Sequence, residues 1–135
     1  MAGTRVLVVE DESLLAETLC DLMQEAGCEI VGPAATVAAA LWRIGEVRID
    51  VALLDIRLKR ETSFPIAREL RSRGIPFLFL TSYQQSQLPD DLGDALVVEK
   101  PFSPTALVDI VLRLARGGSG EETTDAGRRS VASRT

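Results

Sequence analysis

Histidine is absent from the 135-residue chain, and there are only two cysteines, one tryptophan and one tyrosine. Cys20 and Cys28 stand eight positions apart with no second pair beside them. A zinc site or a thioredoxin-like redox motif is therefore excluded, and two reduced core thiols in a cytosol are expected. Long apolar runs are also missing. Met1-Ala2-Gly3-Thr4-Arg5 leads straight into a short strand and then acids, without the apolar stretch and cleavage site of a signal peptide, and no run approaches membrane-spanning length. The expected location is the cytoplasm. Positive charge is scarce as well: the net charge is −5, and residues 1–116 hold 17 acids against 12 bases. That balance argues against nucleic acid as a direct partner, because phosphate backbones demand clustered cations. Arg57, Lys59 and Arg60 form the body's one tight basic cluster, and such a run is usually a solvated loop.

What the chain does have is a set of short apolar runs that stop at polar groups. Val6-Leu7-Val8-Val9 ends at Glu10-Asp11-Glu12, and Val51-Ala52-Leu53-Leu54 ends at Asp55. Phe77-Leu78-Phe79-Leu80 ends at Thr81, and Ala95-Leu96-Val97-Val98 runs into Lys100-Pro101-Phe102. Continuous apolar runs of this length read as buried parallel strands, and open α/β sheets place their ligand sites at the strand ends. Acids, a hydroxyl and an ammonium gathered at one edge point to a magnesium-dependent phosphoryl site.

Helical spacing separates the strands. Leu15, Leu19, Leu22, Met23 and Ala26 recur on one face, with Ser13 near the start and Gly27 where a C-terminal cap would sit. Glu29-Ile30-Val31-Gly32 reads as a strand, and Thr36 can cap a helix whose apolar side is Ala39, Ala40 and Ile44, with Trp42 at an edge of the core. Thr62 or Ser63 caps a helix containing Ile66, Ala67 and Leu70, with Pro65 in its first turn and Gly74 at its end. Ser103-Pro104 starts a last helix whose core face is Leu107, Ile110, Val111 and Leu114. Between Ser82 and Asp94 there are few apolar positions and a proline, so any helix there is expected to be short and poorly anchored. Five strands alternating with helices give one α/β domain over residues 1–116, a parallel sheet with helices on both faces. Gly117-Gly118-Ser119-Gly120 opens a polar segment, 117–135, expected to be a disordered tail.

The succession Val8-Val9-Glu10-Asp11-Glu12, Leu53-Leu54-Asp55, Thr81 and Lys100-Pro101-Phe102 resembles the receiver domain of bacterial two-component response regulators over about residues 4–116. Pro76-Phe77-Leu78-Phe79-Leu80-Thr81-Ser82-Tyr83 is similar to the alphaproteobacterial receiver subgroup with a Phe-Ala-Thr-Gly-aromatic signature, with Leu80 and Ser82 in place of Ala and Gly. The resemblance implies the flavodoxin-like strand order 2-1-3-4-5. It implies that Asp55 accepts a phosphoryl group from a histidine kinase or histidine phosphotransfer protein, and that a changed surface then binds a downstream protein. It implies magnesium, with manganese as the substitute ion, held directly by Asp11 and Asp55, through water by Glu10, and by the backbone oxygen of Arg57. Thr81 would donate its hydroxyl to a phosphoryl oxygen, and Lys100 would pair with the same group, aimed inward by a cis bond to Pro101. Arg57 and Tyr83 would set the hydrolysis rate.

The chain departs from common receivers in two places. Glu10 stands where Asp is frequent, and Val97 stands where most members carry the Tyr or Phe that moves on activation. Output would then rest on Thr81, the Ser82-Tyr83 turn and the segment up to Asp94, with Tyr83 open to either a switch role or an exposed loop role. The expected protein is a stand-alone phosphoacceptor with no chemistry beyond its own phosphorylation and dephosphorylation. Two other classes compete. A phosphatase of the haloacid dehalogenase type needs Asp-x-Asp, whereas Asp55-Ile56-Arg57 puts arginine in the second place; an interaction module that is never phosphorylated has no need of the intact Asp11, Asp55, Thr81 and Lys100 set. Homodimerisation is left open.

Overall fold

The structure is a computed structural model that describes residues 3–82 and 88–117. Five strands form one parallel sheet: β1 (Arg5–Val9), β2 (Glu29–Ala34), β3 (Val51–Asp55), β4 (Phe77–Thr81) and β5 (Leu96–Glu99), in the order β2-β1-β3-β4-β5. Four α-helices connect or follow them: α1 (Ser13–Glu25), α2 (Val37–Glu46), α3 (Phe64–Ser72) and α4 (Pro104–Ala115). None of the described helices is long and apolar enough to cross a membrane. The doubly wound fold and its strand order match the expectation.

Strand alternation sorts the apolar residues into two layers. Leu7, Val9, Ala52, Leu54, Phe77 and Phe79 face α2 and α3, whereas Val6, Val8, Val51, Leu53, Leu78 and Leu80 face α1 and α4. Every side chain of β3 and β4 is buried, which explains why their sequences read as unbroken apolar runs. Carried one step past the strand, the same alternation puts Glu10, Asp55 and Lys100 on the α1/α4 side of the sheet edge.

Helix starts follow local chemistry. The Thr36 hydroxyl accepts from the Ala39 N–H at 3.1 Å, and the Ser103 hydroxyl accepts from Ala106 N–H at 3.2 Å, each satisfying an N–H that has no partner within its own helix. Ser63 takes the cap position of α3 but makes no cap bond; its Oγ is buried with no hydrogen-bond partner. Gly32 has φ +104° where the β1–β2 register shifts, and a Cβ there would stand 2.9 Å from the Ala34 nitrogen and 3.1 Å from the Val8 oxygen. Only glycine fits such a position without displacing the backbone.

Two expectations need correction. Trp42 does not pack at the core edge: it is 62% exposed, with the Arg43 guanidinium 5.9 Å from its ring centroid. The buried face of α2 is completed by Ala40 and Ile44, which leaves the neighbouring positions pointing to solvent, among them Ala39, which was expected on the apolar side and is exposed. The described part of the segment before β5 is short, a single 3-10 turn over Asp90–Leu92, but it is well anchored. Leu92 is fully buried, Arg68 grips Asp91 through two hydrogen bonds of 2.8 and 3.1 Å, and Arg71 reaches Asp94 at 3.2 Å. One deeply placed leucine with two arginines of α3 outweighs the low apolar content. Tyr83 and its neighbours through 87 lie outside the described residues, as does the segment 118–135 for which disorder was expected.

Phe79 sits at the centre of the α2/α3 layer, edge-on to Phe64 at 5.9 Å and to Phe77 at 5.5 Å between ring centroids. Truncating a fully buried aromatic removes both transfer free energy and packing, so Phe79→Ala should lower stability by about 3–5 kcal/mol in urea unfolding. A loss below about 1 kcal/mol would show that the layer is loosely packed.

Candidate functional site

Because the sheet is parallel, β1, β3, β4 and β5 all end at the same edge. The order reverses direction between β1 and β3, and it is there that Glu10, Asp11 and Asp55 emerge. One carboxylate oxygen from each of these three lies within 4.8 Å of the other two. Glu10 is 2% exposed and Asp55 8% exposed, while Asp11 is half-buried.

Lys100 supplies the cation. Its ammonium is 3.4 Å from Asp55 Oδ1 and 3.5 Å from Glu10 Oε1. The Lys100 N–H donates to the Thr81 carbonyl at 2.7 Å, which ties the end of β5 to the end of β4, and the Lys100–Pro101 bond is cis. Thr81 is buried at the last position of β4, directly after Leu80, the residue in register with Asp55. Ser82 is exposed beside it. Val97 is half-buried in the α2/α3 layer, in register with Phe79.

Past Asp55 the chain forms a two-stranded antiparallel ribbon in which Arg57 faces Thr62 and Leu58 faces Glu61. Leu58 is buried, and Arg57 is exposed. The Lys59 N–H donates to Asp11 Oδ2 at 2.6 Å, so the ribbon is fastened to the acidic group itself. This contact spans 48 positions and was not foreseen from the sequence, where nothing but the proximity of both segments to strand ends hinted at it.

Burial sets the electrostatics. Loss of solvent, then the nearby Asp55 charge, pushes Glu10 from an ordinary 4.5 up to about 7. Burial likewise raises Asp55, against the opposing pull of Lys100. Glu10 Oε2 accepts from the Glu12 N–H at 3.1 Å, but Oε1 is buried with no hydrogen bond, the lysine standing at ion-pair distance only. Two acids destabilised in their charged form, one with an unpartnered buried oxygen, and a third acid in reach form a hard oxygen donor set. These residues fit a divalent cation.

Residues 6–112 match the family described as the response regulator receiver domain. The chain is 32% identical over 111 residues to the transcriptional regulatory protein PdtaR of Mycobacterium tuberculosis, covering 79% of this chain and 54% of PdtaR. It thus spans about half the length of the curated relatives it matches. Among solved structures it is similar to SdrG from Sphingomonas melonis Fr1, with 36% identity, a TM-score of 0.73, and coverage of 86% of this chain and 98% of SdrG. It is similar also to TrrA from Thermotoga maritima, solved in complex with Mg2+-BeF, with 29% identity, a TM-score of 0.73, and coverage of 82% and 98%. The chain belongs to the receiver-domain family of bacterial two-component systems, whose members are signalling proteins. The likeness to SdrG fits the alphaproteobacterial subgroup that the Phe77-to-Tyr83 stretch resembles.

The raised acids give the metal-free protein an unusual pH dependence. Between pH 4.5 and about 7 the folded state holds more protons than the unfolded state, so stability falls as pH rises, by on the order of 2–3 kcal/mol from Glu10. Urea midpoints in chelator should therefore decrease from pH 5 to pH 8, and Lys100→Met should steepen the decrease. A flat or rising profile would show that Glu10 ionises as freely as in the unfolded chain.

Proposed function

We propose that the domain accepts a phosphoryl group on Asp55 from a phosphohistidine of a histidine kinase or histidine phosphotransfer protein, and that the modified surface binds a downstream protein. The observation that carries this reading is the placement of Asp55: a buried carboxylate at the sheet edge, 3.4 Å from one ammonium and within 4.8 Å of two further acids. A carboxylate so placed is held away from solvent, which limits competing attack by water, and has a counter-charge in place for the incoming group.

In the transfer, an Asp55 oxygen forms the new bond to phosphorus as the phosphorus–nitrogen bond of the donor breaks. The imidazole leaves with the electron pair and takes up a proton. Lys100, already in contact with the acceptor, needs only a small shift to pair with a phosphoryl oxygen. Thr81, on β4 next to Asp55, would donate its hydroxyl to another. Glu10, Asp11 and Asp55, with the backbone oxygen of Arg57, would hold magnesium, which when bound neutralises the acceptor and orients the phosphoryl oxygens. Manganese satisfies the same oxygen set. Arg57, exposed on the ribbon, and Tyr83 are assigned to control of hydrolysis. Ser82 and the turn after it would carry the change at Thr81 outward. The arginine of Asp55-Ile56-Arg57 is exposed and cannot act as the second acid of a dehalogenase-type phosphatase.

Incubation with acetyl phosphate and magnesium should add one hydroxylamine-labile phosphoryl group, seen as a mass increase that Asp55→Asn abolishes. Lys100→Met should slow its formation by about 100-fold while leaving Asp55 available. Label that persists in Asp55→Asn would move the acceptor elsewhere.

A further inference from the structure

Most basic side chains of this acidic domain are already matched. Six arginines and Lys100 each reach a carboxylate within 3.7 Å, and Arg43 lies over the Trp42 ring. Among the described residues four cations have neither an acid within ion-pair distance nor an aromatic ring beneath them: Arg57, Lys59, Arg60 and Arg116. Three of them are exposed on the one ribbon that borders the acidic group.

The ribbon's position is rigidly specified. Leu58 is buried to 1% exposure in the α2/α3 layer, and the Lys59 N–H is bonded to Asp11. Its single acid, Glu61, accepts from the Val37 N–H at 3.0 Å and forms no ion pair with its neighbours, so three cations stand against one acid on the ribbon, which keeps a net positive charge. Exposed ion pairs contribute little to stability, so what sets the ribbon apart in a domain with a surplus of acids is that its cations are close in sequence and held together beside the site. Three unmatched cations held at one rim are therefore a local field of opposite sign to the rest of the molecule.

That field has an obvious counterpart. The site behind it holds three carboxylates against one lysine, and a divalent cation brings that set only to neutrality, so the site itself offers a phosphoryl donor carrying two negative charges no long-range attraction. We propose that Lys59 and Arg60, together with Arg57, attract the dianionic phosphoryl group of the donor to the mouth of the site and favour it over singly charged donors. The inference rests on Asp55 being the acceptor. With an acyl phosphate, the Asp55 oxygen bonds to phosphorus, the bridging phosphorus–oxygen bond breaks, and the carboxylate leaves with the electron pair; the ribbon residues form and break no bond.

The test compares two charge reversals of equal size, Lys59→Glu on the ribbon and Arg116→Glu at the end of α4. Arg116 adjoins Gly117, which borders a cleft with Pro76 and Phe77 at the opposite edge of the sheet. Second-order labelling rates are measured at saturating magnesium with acetyl phosphate, a dianion at neutral pH, and phosphoramidate, mostly a monoanion there. At low salt Lys59→Glu should slow acetyl phosphate by about fivefold and phosphoramidate by less, and Arg116→Glu should leave both unchanged. In ~0.5 M salt the difference should vanish. Arg60→Glu is the second ribbon variant and should behave alike. Equal effects from both edges, or an effect that survives salt, overturns the inference while the acceptor reading stands. Absence of label on the unaltered protein overturns the acceptor reading and this inference with it.

Discussion

One unfavourable interaction organises this molecule: carboxylates crowded at the end of a buried sheet with a single ammonium among them. Glu10 and Asp55 are almost fully shielded from water, and Lys100 touches both without forming a short hydrogen bond to Glu10. Alone, such a group is a cost to folding, since burial disfavours the charged form of each acid. It persists because the surrounding strands are continuous apolar cores on both faces and can bear it. A ligand of opposite charge relieves such repulsion, so an arrangement that costs folding free energy by itself suits the donor set to a cation.

Much of this was legible in the sequence, for a physical reason. Buried parallel strands must be apolar on both sides, so they stand out as short unbroken runs, and whatever polar residue follows each run lies at one edge. Glu10, Asp11, Asp55, Thr81 and Lys100 could all be placed by that rule, and the ordered motifs supplied the family. The caps at Thr36 and Ser103 were equally readable, because their partners lie three residues away.

What escaped was set by contacts distant in sequence. The bond from Lys59 to Asp11 and that from Val37 to Glu61 join segments 48 and 24 positions apart, and no local pattern encodes them. Leu92 looked like an isolated apolar residue in a polar stretch, yet one side chain at the right depth, with Arg68 and Arg71 waiting on α3, anchors the turn. Trp42 failed for the opposite reason: the face of a short helix is narrow, and Ala40 and Ile44 already fill it.

Side-chain alternation in the strands has a consequence for descent. Glu10 and Asp55 meet Lys100 because each lies an even number of positions from a residue packed on the α1/α4 layer, Val8, Leu53 and Val98. Adding or deleting one residue inside β1, β3 or β5 would send its charged terminus to the other side of the sheet and its apolar residues to the wrong layer. Lengths of the helix-to-strand connections are under no such restriction. A single residue added inside one of these strands would have to be absorbed by a bulge, as the register shift beside Gly32 is, for the charged terminus to keep its side of the sheet.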